Sequence, residues 1–126
     1  MTPGSKALVV DDSKAIRRIL SRTLRELGWE VSEAANGVEA LKAMQSNQPP
    51  VSLVLVDWHM PVMNGLEFVR HVRTEPRFEQ TKLMMVTTET EVEQMVTALE
   101  SGANEYVMKP FTRQVIEDKL RILGLE

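Results

Sequence analysis

The chain has no cysteine, so a disulfide framework, a thiolate metal site and a cysteine nucleophile are all excluded, and a reducing compartment suits it. No apolar run is long enough to span a bilayer. The opening MTPGSKA also lacks the charged-then-apolar layout of a signal peptide, so a cytoplasmic location without membrane insertion is expected. Positive charge is not in excess either: the net charge is −3, which offers nucleic acid no electrostatic footprint. Proteins or small ions are the partners to expect. There is no internal repeat and no low-complexity tract; NQPP at 47–50 reads as a loop.

What the chain does have is the balance of a globular protein. Of its 126 residues 43% are hydrophobic and 26% charged, enough for one domain with a proper core and too few for a second folded unit of ordinary size. The expected domain is 1–126, with its core at about 6–123. Short apolar or β-branched runs at Ala7–Val10, Glu30–Ser32, Leu53–Val56, Leu83–Val86 and Glu105–Met108 each precede a stretch with helical spacing. That alternation marks βα units around a parallel sheet.

The helices announce themselves by apolar faces. Ile16, Leu20, Leu24 and Leu27 form the first, with Ser13 as cap and Gly28 as stop. Val38, Leu41 and Met44 mark the second after the Asn36-Gly37 turn; Leu66, Val69 and Val72 the third; Val92, Met95, Val96 and Leu99 the fourth, closed by Gly102. Val115, Lys119 and Ile122, flanked by Ile116, Leu120 and Leu123, mark the fifth. These stripes, like most of the methionines, read as core filler.

The chemistry lies where strands end. The first apolar run stops at Asp11-Asp12 and the third at Asp57, although crowding carboxylates raises at least one pKa unless positive charge intervenes. In a parallel sheet all three share the carboxyl edge, where open α/β folds bind ligands. Neighbouring strands lie about 4.8 Å apart, so the acids can share an ion only if strands one and three are adjacent. Order 2-1-3-4-5 makes them so, and order 3-2-1-4-5 does not. Strand four runs out at Thr87-Thr88 and strand five at Lys109-Pro110, which adds a hydroxyl and an ammonium to the same edge.

Taken singly these residues have plain structural explanations. An Asp-Asp pair makes a solvated turn with a cap, Asp57 a cap, Thr87 a strand residue, Lys109 a surface charge, and Tyr106 a core ring with its hydroxyl at the rim. What weighs against those explanations is that four strand ends aim at one edge. Three carboxylates, a hydroxyl and an ammonium are an inventory for handling a phosphoryl group with a divalent cation. Hard oxygen donors without a His or Cys cluster suit Mg²⁺.

With these residues in place, VVDDS, LVDWHMPVMNGLEF, MVTTE and GANEYVMKPF, in that order, the chain resembles the receiver domain of two-component response regulators. The resemblance runs from about Lys6 to Leu123 and is nearest to the stand-alone chemotaxis, CheY-like type. It implies a flavodoxin-like, doubly wound (βα)5 fold: a five-stranded parallel sheet of order 2-1-3-4-5 with helices on both faces. It implies Asp57 as phospho-acceptor, and Asp12, Asp57 and the backbone carbonyl of His59 as Mg²⁺ ligands with Asp11 acting indirectly. Lys109 and Thr87 would hold the phosphoryl group, Tyr106 would be the aromatic switch that turns inward when Thr87 moves, and the Lys109-Pro110 bond would be cis.

Thr88 and Glu89 would stand at the rim and affect access to the acyl phosphate. The implied phosphodonor is a histidine kinase and the implied reader a downstream protein such as a motor switch or phosphotransfer protein. The chain is expected to be a monomer, catalysing only its own phosphorylation and dephosphorylation. Its output face would be the fourth helix, fifth strand and fifth helix, including Val92, Met95, Glu105 and Lys119. The acidic run at 89–93 reads as a solvated helix start. The competing readings are a phosphorelay or phosphate-sink receiver outside chemotaxis, a receiver-shaped module that no longer takes phosphate, and two different activities. A Mg-dependent phosphatase of the haloacid-dehalogenase type would want an acid where His59 stands. A flavin carrier would want a glycine- and hydroxyl-rich loop where Asp11-Asp12 would repel phosphate.

Overall fold

In the computed structural model residues 5–88 and 92–125 are described. The order is β1 (Lys6–Val10), α1 (Lys14–Glu26), β2 (Glu30–Ala34), α2 (Gly37–Ser46), β3 (Leu53–Val56), α3 (Gly65–Arg73), β4 (Lys82–Thr87), α4 (Val92–Glu100), β5 (Glu105–Met108) and α5 (Arg113–Ile122). One short 3₁₀ turn, Pro76–Phe78, which hydrophobic periodicity does not reveal, sits between α3 and β4. All the strand pairs are parallel, and the sheet runs β2-β1-β3-β4-β5. Strands β1 and β3 are therefore neighbours, as the flavodoxin-like order requires.

Alternation along the central strands builds two cores, because successive side chains leave opposite faces. Ala7, Val9, Leu53, Leu55, Met84, Val86 and Val107 meet α1 and α5 through Leu20, Leu24, Ile116 and Leu120. On the other face Leu8, Val10, Val54, Val56, Leu83 and Met85 meet Ala40, Met44, Phe68, Val69, Val72 and Ala98 of α2, α3 and α4. Each large side chain fully buried this way stabilises by about 1.5–3 kcal/mol. β3 reads as an unbroken apolar run because helices cover both of its faces. β2, at the edge, has only Ala34 fully buried, and it extends two residues past the expected Ser32.

The helix starts are chemically specified. Ser13, Asn36 and Thr112 accept from the backbone N–H three residues on, and Asn64 with Glu67 forms a reciprocal capping box on α3. At the other edge of the sheet, Arg73 gathers loose backbone. Its guanidinium donates to the carbonyls of Gly102 (3.0 Å), Phe78 (2.9 Å) and Thr81 (2.8 Å) and to Asn104 Oδ1 (2.8 Å). Gly102 closes α4 at φ +121°, and a Cβ there would come within 2.4 Å of the Arg73 Cγ.

The apolar stripe of α4 departs from the core-filler expectation. Val92 is 71% exposed and Val96 and Leu99 each 44%, while Ala98 alone is fully buried. Periodicity marks an amphipathic face, of which Met95 packs partly buried against the core, while no described residue buries Val92, Val96 or Leu99. Glu89 and Glu91 lie outside the described residues, so only Glu93 of the expected acidic helix start is seen, in the first turn of α4. Among the described residues no helix is long and apolar enough to cross a membrane.

Candidate functional site

The ladder between β1 and β3 continues one step past the strands. Val10 pairs with Val56, and the Asp57 N–H donates to the Val10 carbonyl at 3.0 Å. That step puts Asp57 beside the β1 terminus. On the other side the Asp11 N–H donates to the Ala34 carbonyl of β2 at 3.2 Å. The Asp11, Asp12 and Asp57 carboxylates consequently offer one oxygen each, all within 4.8 Å of one another.

Among the described residues a single ammonium reaches into this group. β5 pairs with β4 in a register that sets Met108 against Thr87, and the Lys109 N–H donates to the Thr87 carbonyl at 2.8 Å. From there Nζ donates to Asp11 Oδ2 at 2.8 Å and Asp57 Oδ2 at 3.2 Å. Asp11 is 1% exposed and Asp57 7%, whereas Asp12 is open to solvent. Burial pushes the Asp11 carboxyl above its ordinary value, by more than the Lys109 hydrogen bond and the Ser13 N–H (2.9 Å) pull it down. Burial by itself would lower the Lys109 pKa, but the Asp11 hydrogen bond and the two carboxylate charges outweigh it and hold the ammonium above its ordinary 10.5.

The remaining residues spread around this centre. The His59 N–H donates weakly to Asp57 Oδ1 at 3.4 Å. With Asp12, Trp58, Met60, Pro61 and Asn64, His59 lines an open cleft of about 440 Å³. Thr87 is completely buried at the end of β4, and Tyr106 is 4% exposed, within the cluster of α2, α3 and α4. The Lys109–Pro110 peptide is cis, as is Gln48–Pro49 in the NQPP loop. Thr88 is exposed, and it lines a separate groove with Ile16, Ile19, Lys109, Pro110 and Phe111. Glu89 lies outside the described residues.

Two residues at the site escape a reading based on strand ends. Gly65 donates its N–H to the Trp58 carbonyl at 2.8 Å, and a Cβ there would fall 2.2 Å from the Asp57 carbonyl oxygen. Only a glycine allows α3 to start this close to the acid. Arg17 donates to the Asp11 carbonyl at 2.7 Å. The Asn-Gly pair before an apolar helix was the available signal for Gly65; Arg17 had none, since it sits among the other cations of α1.

Charge and donor type decide what the cleft can hold. Three carboxylates face one ammonium, and Lys109 already spends two bonds on the Oδ2 atoms of Asp11 and Asp57. Asp57 Oδ1 accepts the weak His59 N–H, and the exposed Asp12 carboxylate lines the open cleft. A hydrated hard dication that takes one or two protein carboxylates fits this donor set.

Residues 7–121 match the family described as the response regulator receiver domain. The chain is 48% identical over 121 residues to the chemotaxis protein CheY homolog of Campylobacter jejuni, covering 94% of this chain and 92% of that one. It is 45% identical over 119 residues to chemotaxis protein CheY1 of Helicobacter pylori, covering 94% and 95%. Among solved structures, chemotaxis response regulator CheY4 of Vibrio cholerae superimposes with a TM-score of 0.88 at 38% identity, covering 95% of this chain and 98% of that one. The chain thus belongs to the response regulator receiver domain family, in its CheY-like branch.

Proposed function

We propose that this receiver takes a phosphoryl group from a histidine kinase onto Asp57 in a Mg²⁺-dependent reaction. The modified protein then presents the face made by α4, β5 and α5 to a partner protein in chemotaxis signalling. The observation that carries this reading is the placement of Lys109 Nζ between Asp11 and Asp57, with the Asp12 carboxylate alongside.

Asp12, Asp57 and the His59 carbonyl are the groups that would hold Mg²⁺, which when bound supplies charge neutralisation for the equatorial phosphoryl oxygens. Asp57 is the nucleophile. One of its oxygens forms a bond to phosphorus while the P–N bond of the donor's phosphohistidine breaks and the leaving imidazole takes up a proton. Lys109 transfers its hydrogen bond from the carboxylate to a phosphoryl oxygen, and the Thr87 hydroxyl donates another. Hydrolysis reverses the modification: water attacks phosphorus, inorganic phosphate leaves, and the Asp57 carboxylate returns. Apart from that turnover the protein is a signalling element.

Phosphorylation shifts a two-state equilibrium only as far as the two states differ in their contacts with the new group. Thr87 and Tyr106 lie on the adjacent strands β4 and β5, which makes them the lever. The exposed Val92, Val96 and Leu99 of α4, Met108 of β5, and the Lys119–Glu105 ion pair (2.9 Å) lie on the face that responds. Chemotaxis is favoured over a phosphorelay or sink by the chemotaxis names of the relatives, and a cytoplasmic location follows from the kinase donor.

Intact-mass analysis after incubation with Mg²⁺ and acetyl phosphate tests the acceptor. The wild type should gain one phosphoryl group, and the main adduct should vanish in Asp57→Asn and in chelator. Equal loading of wild type and mutant would remove Asp57 from its role.

A further inference from the structure

The two acids of the β1–α1 connection are held in different ways. Asp11 is tied down by its side chain, through Ser13 N–H at 2.9 Å and Lys109 Nζ at 2.8 Å. Asp12 is exposed, and among the described residues no hydrogen bond holds its carboxylate. Its position therefore depends on its backbone. The Asp11–Asp12 peptide is a rigid plane, so whatever fixes the Asp11 carbonyl oxygen also fixes the Asp12 Cα.

One side chain does this. Arg17 Nη1 donates to the Asp11 carbonyl at 2.7 Å, and Arg17 Nε donates to Glu33 Oε1 of β2 at 3.3 Å. Arg17 is only 16% exposed along its side chain and Glu33 28%. A planar guanidinium with two separate donors spans the sheet edge and the acidic loop in fixed geometry, which a flexible ammonium does less well. Helix position argues in the same direction. Lys14, Arg17 and Arg18 crowd the start of α1, and its first turn has no acid. Cations there oppose the helix dipole, so Arg17 needs a compensating contact, and the Asp11 carbonyl with Glu33 provides it.

We propose that Arg17, braced by Glu33, is a positioning residue for the divalent cation: it fixes the Asp11–Asp12 peptide so that Asp12 meets Asp57 at ligating distance. The inference rests on the Mg²⁺-dependent acceptor reading. Mg²⁺ demands near-ideal octahedral donors, and outer groups that orient ligands commonly change metal affinity by about tenfold or more. Arg17 touches neither the ion nor the phosphoryl group.

The test compares wild type, Arg17→Ala, Arg17→Lys and Glu33→Gln by calorimetric titration with Mg²⁺. Amide ¹⁵N order parameters of Asp12 and Ser13 are measured in parallel in EDTA. Arg17→Ala should bind Mg²⁺ about tenfold more weakly, with Arg17→Lys recovering part of the loss and Glu33→Gln falling between. In EDTA the Asp12 and Ser13 amides should become more mobile in Arg17→Ala while the β3 amides stay rigid, and saturating Mg²⁺ should restore phosphoryl loading. A Kd within twofold of wild type overturns the proposal. So does weakened binding that accompanies lower overall stability and unchanged Asp12 and Ser13 mobility, because that marks Arg17 as a plain structural brace. Glu33→Gln leaves the guanidinium in place and supplies the answer should Arg17→Ala fail to fold. A wild type that binds no Mg²⁺ sinks the acceptor reading itself, whereas a wild type that binds alongside an equally tight Arg17→Ala sinks only the clamp.

Discussion

At the scale of single residues, Asp11 and Asp12 are adjacent in sequence and opposite in environment. One is buried on Lys109 and the other faces water. The consequence for pH runs against the habit of ion-paired acids. The folded pKa of Asp11 is raised above its ordinary 3.8, so between those two values the folded state binds more protons than the unfolded one. Stability contributed by this group then rises as pH falls towards 3.8, instead of being lost. Lys109 behaves in the usual way: its contribution is whole below 10.5 and disappears as pH rises through its raised folded value. In EDTA, the unfolding free energy of wild type relative to Asp11→Asn should therefore increase on acidification from neutral pH to about pH 4. Urea titrations at several pH values check this, and a decrease would mean that Lys109 outweighs burial. The sequence showed that both acids end a strand, because an apolar run stopped there. Which of them the lysine takes was not legible, since Lys109 arrives from the far end of the chain.

Among the elements, the helices owe their starts to local chemistry and their places to long-range packing. Apolar spacing and the Ser13 cap made α1 readable, and the Asn64–Glu67 capping box was present for α3 although periodicity passes over it. Arg73 is another matter. It looks like one of several cations near the end of α3, yet its guanidinium donates to carbonyls from the 3₁₀ turn, the residue just before β4 and the α4–β5 connection. Removing it takes the guanidinium donor from the half-buried Gly102 and buried Thr81 carbonyls, while the Phe78 carbonyl keeps the Thr81 N–H at 3.1 Å. Hydrogen bonds to a charged group contribute about 1.5–3 kcal/mol, so Arg73→Ala should lower stability by about 3 kcal/mol, read as a fall in urea midpoint at unchanged slope. A loss under about 0.5 kcal/mol, ordinary for a surface cation, would show that water replaces the staple. The exposed stripe of α4 is the converse case. Its pattern was as regular as that of α1, and only the fold reveals that one is covered and the other is not.

For the whole molecule, a cation held at the acidic edge would link ligand binding to folding. A cation that binds only the folded state stabilises it by about 2.7 kcal/mol at a hundredfold excess over Kd. Thermal melts should accordingly rise with Mg²⁺ for the wild type and stay nearly flat for Asp12→Asn; a mutant that gains as much as wild type would place the ion elsewhere. The sequence by itself determined the five βα units, the residue types at each strand end and hence the chemistry available, because those follow from local periodicity and from where apolar runs stop. The family resemblance implied that β1 lies beside β3, and the sheet has that order; only the tertiary structure decided that Lys109 takes both Asp11 and Asp57 while Asp12 stays open, and that Arg17 bonds the loop between them. Sheet order is settled by which apolar faces two layers of helices can bury together, a property of the whole packed chain that no local stretch of residues encodes.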